Sequence, residues 1–153
     1  MTAKELWERF TRENNINDCQ YEAWSFGMNA DHLAELVLTG HKTATASAYV
    51  LYDLAGEELP QKDEYSVILD SQDNPVCVIR TVNVEIVPFN LISDKHAFKE
   101  GEGDKTLSYW RKVHKEFFSN ELKAVGLKFS DDMLVVFEEF EVASRADDAS
   151  RLD

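Results

Sequence analysis

The sequence predicts an α+β fold: a small, mixed, mostly antiparallel β-barrel with helices packed outside it. Three observations carry that expectation. Strand-like segments at 65–69 and 76–87 are separated only by Asp70-Ser-Gln-Asp-Asn-Pro75, a turn-rich composition that pairs them as a hairpin. Strands outnumber what a parallel α/β unit needs. Apolar residues at helical spacing recur in only three segments, near 2–13, 29–39 and 104–118.

In chain order, residues 2–13 read as a first helix with Leu6, Trp7 and Phe10 on one side. The second, over 29–39, has Asn29 or Asp31 as N-cap candidates, and Gly40 stands where a helix C-terminal glycine belongs. Small and β-branched residues make 43–50 a strand, and Asp53–Glu64, with Gly56 and Pro60, a polar connection. Across the hairpin, Val76, Val78, Val82, Val84 and Ile86 are expected on one face until Pro88 ends the strand. Asp104 or Thr106 caps a long helix through Phe118, with Leu107, Trp110, His114 and Phe117 on one stripe. Met133–Val142 forms the last strand. Residues 1–143 are thus one domain with an N-terminal helix, and 144–153 a polar, frayed tail.

A chain of 153 residues suits one domain with a real core, and 44% hydrophobic content argues against disorder. Cys19 and Cys77 have no zinc spacing and no disulfide framework, as expected of thiols in a reducing cytoplasm. The charged, helical N-terminus is no signal peptide, and no apolar run approaches the roughly 18 residues of a membrane span. The net charge of −13 argues against a general nucleic-acid binder, but its distribution is uneven. Residues 1–94 carry −10, residues 95–128 carry +3 and residues 129–153 carry −6. The one basic segment can meet a phosphate or serve only as a solvated helix face.

The most informative stretch is Gly40-His41-Lys42-Thr43-Ala44-Thr45-Ala46-Ser47, a lysine and threonines fixed on a short helix-to-strand turn. With Phe26-Gly27, His96-Ala-Phe-Lys-Glu-Gly-Glu-Gly-Asp104 and Leu107-Ser-Tyr-Trp-Arg111…His114…Phe117-Phe118, it resembles the ASCH domain family of the PUA-like superfamily, in its larger bacterial-type members. The likeness covers roughly residues 22–142, and its hallmark is Gly-x-Lys-x-x-Thr. It implies a PUA-like pseudo-barrel with an open cleft. Two positions depart from the pattern: Met28 stands where an acid usually follows Phe-Gly, and no glycine precedes the acid near Lys62-Asp63.

The resemblance assigns three catalytic candidates. Lys42 and Thr45 match the hallmark lysine and threonine. Glu100 matches the glutamate that follows His-Ala-x-x in small amidohydrolase members, and Glu102 is a second match because the flanking glycines allow another register. A lysine serves as base only when burial or a nearby cation lowers its proton affinity; otherwise it clamps a carbonyl or phosphate oxygen. Threonine needs a base before it attacks. Tyr109, Trp24 and Arg111 join Glu102 as substrate-binding candidates, with Trp110 expected in the core and Tyr109 and Trp24 more open. His96 and His114 are read as structural before acid–base groups. Glu100, Glu102 and Asp104 fail an EF-hand, since Arg111 would occupy the bidentate acid's place, so neither metal nor cofactor is expected.

Two function classes remain open. Small members of the family resemble amidohydrolases that deacetylate acetylated cytidine, and some larger members act as ribonucleases. The PUA likeness also fits a non-catalytic RNA- or nucleotide-binding module, and a pure interaction domain is the third reading. The expected partner is RNA or a nucleoside, with no membrane; oligomeric state is not legible.

Overall fold

The computed structural model describes residues 1–147 and orders eleven elements along the chain. These are α1 (Ala3–Glu13), β1 (Tyr21–Trp24), α2 (Ala30–Leu38), β2 (Ala44–Ala48), α3 (Tyr49–Ala55), β3 (Tyr65–Leu69) and β4 (Pro75–Pro88). A short 3₁₀ turn (Phe89–Leu91), α4 (Asp94–Glu100), α5 (Leu107–Ala124) and β5 (Leu134–Arg145) follow. The strands make one sheet in the order β1-β3-β4-β5-β2, antiparallel except where β1 runs parallel to β3. Among the described residues no ladder joins the edge strands β1 and β2, so the expected mixed, mostly antiparallel β-barrel takes the form of an open sheet.

Three clusters hold the helices to the sheet. Leu6, Trp7 and Phe10 of α1 pack on Val67 and Val78. On the other face, Leu33, Ala34 and Val37 of α2 pack on Ile68, Cys77, Ile79 and Phe140. Trp110 and Phe118 of α5 pack with Ala97 of α4 on Ala48, Val87 and Val135. Each buried aliphatic or aromatic side chain contributes roughly 1.5–3 kcal/mol relative to exposure.

Several sequence expectations shift. The even-numbered stripe of β4 does not share one face, because the pairing slips between Thr81 and Asn83 and Ile86 ends 41% exposed. Residues 49–55 form α3 instead of continuing a strand and a polar connection; Gly56, with φ +66°, ends the helix. β1 was not anticipated, being four residues without alternating burial. Nor was α4, whose capping box uses His96 in place of the usual Glu or Gln three residues after Ser93. α5 runs six residues beyond Phe118, to Ala124. β5 continues to Arg145, two residues into the expected tail, and residues 148–153 of that tail lie outside the described residues.

Candidate functional site

Two glycines bring the site together. Gly40, at φ +81°, turns the chain out of α2, and the amides of His41 and Lys42 both return to the Leu36 carbonyl. Gly101, at φ +68°, ends α4 directly against this turn; a Cβ there would lie 1.8 Å from the His41 carbonyl oxygen. The Thr43 amide donates to the Lys99 carbonyl at 2.7 Å and closes the seam. The end of α4 is thereby laid alongside residues 41–43, and Glu100 and Glu102 meet Lys42.

The Lys42 ammonium donates to Glu100 Oε1 at 3.3 Å and Glu102 Oε2 at 2.9 Å. It also lies 5.2 Å from the Phe26 ring centroid. From α5, Trp110 Nε1 donates to Glu100 Oε2, and His114 Nε2 lies 3.3 Å from the same oxygen. His114 Nδ1 donates to the Trp110 carbonyl at 2.9 Å, and the two rings stack at 4.1 Å. Lys42 is 2% exposed, Glu100 1%, His114 4% and Glu102 8%.

Both ring nitrogens of His114 face acceptors, so the imidazolium is the form the site holds. Burial alone would push His114 down, but Glu100 and Glu102 outweigh it and raise its proton affinity. Burial would push Glu100 up; Lys42 and His114, with the Trp110 hydrogen bond, bring its carboxyl down to about 2. Two cations and two carboxylates therefore balance. That balance matters because each buried ion costs several kcal/mol in lost hydration.

Glu100, Glu102 and His114 also offer ligand atoms within 4.8 Å of one another, a donor set that fits a divalent cation. In this arrangement the Lys42 ammonium already bridges the two carboxylates.

The sequence candidates divide. Lys42, Glu100 and Glu102 converge. Thr45 lies on β2, half-buried, paired with Glu138 and with no hydrogen bond to the cluster. Ala46 and Ala48 enter the α5 core, so strand alternation sends Thr45 to the opposite face. Trp110 is buried, while Tyr109 is 36% exposed and its ring covers Gly103. Trp24 is half-buried edge-on to Phe26. Arg111 is exposed and reaches the Asn90 and Ile92 carbonyls at 3.4 and 3.5 Å, a loop-pinning role. Sequence reasoning left His114 outside the site; its place one turn after Trp110 was the available signal. Beside the cluster, a cleft of about 320 Å³ is lined by Val37, Gly40, Lys42, Thr43, Phe140 and Arg145 among others. No described helix is long and apolar enough to cross a membrane.

A family model described as the ASCH domain matches residues 22–144. A crystal structure of a protein from Enterococcus faecalis V583 is 36% identical, covering 97% of this chain and 91% of its own, with a TM-score of 0.90. The crystal structure of an ASCH domain from Lactobacillus crispatus JV V101 is 31% identical, covering 93% and 94%, with a TM-score of 0.86. A hypothetical protein of known structure, 14% identical over 80% of this chain and 99% of its own at a TM-score of 0.55, shares the fold alone. Comparison with curated proteins gives no significant match.

Proposed function

Because the chain belongs to the ASCH domain family, we propose that it acts hydrolytically on RNA or a modified nucleoside. Within that class we favour an amidohydrolase cleaving an acyl amide on a nucleobase, as in N4-acetylcytidine, over a ribonuclease. The net charge of −13 repels a polyanion and tolerates a neutral nucleoside.

The observation that carries the reading is the Lys42 ammonium suspended between Glu100 and Glu102 in a nearly dry site. Buried, charge-balanced groups with displaced proton affinities concentrate at functional sites. Facing two carboxylates, Lys42 acts as an oxyanion clamp. A substrate carbonyl reaches it by displacing one of them, and Glu102, the more exposed and singly bonded, is the one to yield. Freed from Lys42, Glu102 takes a proton from the attacking water while Glu100 holds the ammonium in place. Water adds to the carbonyl, the C–N bond breaks, and the proton passes to the departing amine, releasing acetate and cytidine. The family motif pairs Thr45 with Lys42 in this chemistry, but its place on the opposite face of β2 leaves activation of the water to Glu102.

A non-catalytic RNA- or nucleotide-binding module is the second reading, favoured by one fact: Lys42 is 2% exposed, with both carboxylates already bonded to it. Incubating the protein with N4-acetylcytidine and with a short RNA separates the two. Acetate release supports the amidohydrolase, RNA cleavage the ribonuclease, and binding without either product the module.

A further inference from the structure

A second polar group lies on the sheet face that α2 packs against, away from the lysine cluster. Strand pairing sets it in a row. Glu22 of β1 stands opposite Ser66 of β3. Ser66 stands opposite Ile79, itself in the α2 core, which fixes the face. Two residues on, Thr81 of β4 donates its hydroxyl to Glu138 Oε2 at 2.6 Å. Glu138 of β5 pairs with Thr45 of β2. Each of the five strands therefore contributes one polar residue to a stepped diagonal across this face.

The row has a floor and a rim. Ser66 is 7% exposed, Thr81 2% and Glu138 8%, whereas Glu22 and Glu64 are exposed. Tyr52 of α3 is held beside it by a 2.8 Å hydrogen bond to Ser47. Among the described residues no Lys, Arg or His pairs with Glu138, and its only hydrogen bond is the one from Thr81. The Ser66 hydroxyl has no partner there at all. Burial, and then the charges of Glu64 and Glu22, push the Glu138 carboxyl above the ordinary range. Among the described residues the only sealed, unpaired side-chain polar atoms are on Arg9, so the second Glu138 oxygen and the Ser66 hydroxyl stay reachable from solvent and open to a ligand.

We infer that Ser66, Thr81, Glu138 and Thr45 form a binding site for an amidine-type edge, in which an N–H donor sits beside a second ring or amidine nitrogen. A carboxyl group is the planar complement of that edge. As a carboxylate it takes two N–H donors from an amidinium. As an acid it gives its proton to the ring nitrogen and accepts from the amino group. Ser66 and Thr45 add hydroxyls at either side. The acidic rim turns phosphate away and admits a neutral or cationic group. The edge comes from a free amidinium or from a base such as cytosine. A base bound here through its amino edge is a ligand separate from the acyl amide at Lys42, because a carbonyl one bond from N4 cannot reach Lys42 while N4 pairs with Glu138.

Binding measured directly by calorimetry or NMR, without turnover, tests the site with cytidine, benzamidine and uridine as probes. Uridine presents a carbonyl where cytidine has its amine. Wild type is expected to bind cytidine or benzamidine at least ~10-fold more tightly than uridine, in line with a hydrogen bond to a charged partner. Cytidine binding identifies the base as source; benzamidine alone identifies a free amidinium. Glu138→Leu removes the acceptor of the buried Thr81 hydroxyl and is expected to lower the urea midpoint slightly, while affinity falls at least ~10-fold. Ser66→Ala, which leaves no partner stranded, is expected to weaken binding several-fold and serves if Glu138→Leu fails to fold. Equal affinity in wild type and variants, no preference over uridine, or no binding at millimolar probe overturns the inference. Binding with no hydrolysis of any acyl amide would refute the hydrolytic reading and leave this site standing.

Discussion

Gly101 lies so close to His41 that a single added methyl would sit 1.8 Å from the His41 carbonyl oxygen. The contact joins the end of α4 to the turn after α2, and with it Glu100 and Glu102 to Lys42. Gly101→Ala must move that seam and also carry a side chain at φ +68°, which by itself costs roughly 1–2 kcal/mol. We expect it to lower stability by about 3 kcal/mol or more, beyond the strain alone. Gly126→Ala is the control: φ is +77° but nothing lies within 4 Å, so only the strain should appear. Equal urea midpoints for the two variants would refute the close-approach argument.

The buried charges make stability depend on pH in both directions. Glu100 is depressed from 4.5 to about 2, so its contribution is complete above 4.5 and disappears as pH falls toward 2. His114 is raised above 6.5, so its contribution is complete below 6.5 and is lost as pH rises through the raised value. Stability from this cluster should therefore peak between about pH 4.5 and 6.5. In His114→Gln the alkaline loss should vanish while the acid loss persists. Urea midpoints across pH check this, and an alkaline limb identical in variant and wild type would exclude His114 as its source.

Lys42→Ala is a stability variant before it is a catalytic one. It leaves Glu100 and Glu102 without the ammonium that binds both, and stranding a buried partner typically costs about 3–5 kcal/mol. Lys42→Ala with Glu102→Gln should recover part of that loss, since one stranded charge is removed. Denaturant unfolding of the single and double variants measures the coupling. Strict additivity would mean that the two side chains do not interact.

How far the sequence speaks depends on the element. The hairpin, α2 with its Gly40 stop and the apolar side of α1 are legible because each signal is local. α4 is not, because a histidine closes its capping box and glycines follow it, so Glu100 reads as part of a loop. The meeting of Lys42 with Glu100 and Glu102 is legible only through the family motif, since the partners stand 58 and 60 residues apart. The stripe of β4 is misread because one slip in pairing reverses the faces beyond it, and no residue type at Thr81–Asn83 announces the slip. Thr45 is matched by motif and separated by strand alternation.

The basic segment gives a separate test of RNA contact. Of its candidates, Lys105 lies 3.0 Å from His41 Nδ1, Lys115 sits over the Phe129 ring and Arg111 reaches backbone carbonyls, while Lys112 is exposed. With acidic surface elsewhere, RNA affinity should be modest and fall steeply with salt. Lys112→Glu with Lys115→Glu should weaken it and flatten the salt dependence. Unchanged binding in a salt titration would make the segment a solvated helix face.

Thr45 separates the chemical roles most sharply, because it can be changed without disturbing the charge cluster. It is half-buried, bonds to none of Lys42, Glu100 or Glu102, and pairs along the backbone with Glu138. Thr45→Val keeps the β-branched shape and exchanges the hydroxyl for a methyl, so at most one hydrogen bond's worth of stability, roughly 0.5–1.5 kcal/mol, is at stake. If the hydroxyl attacks, no acyl intermediate can form and turnover of N4-acetylcytidine should fall by about 10³-fold or more. If it orients water, the loss should be nearer 10-fold, and Thr45→Ser should restore most of the rate in either case. Glu102→Gln supplies the second axis: it keeps a hydrogen-bonding oxygen near Lys42 but cannot take a proton, and about a 10²–10⁴-fold loss is expected of a general base. Single-turnover rates for the three variants, read beside their urea midpoints, distinguish chemistry from folding. A full-rate Glu102→Gln would remove Glu102 from the reaction, and a full-rate Thr45→Val would place Thr45 with the binding row of Ser66, Thr81 and Glu138.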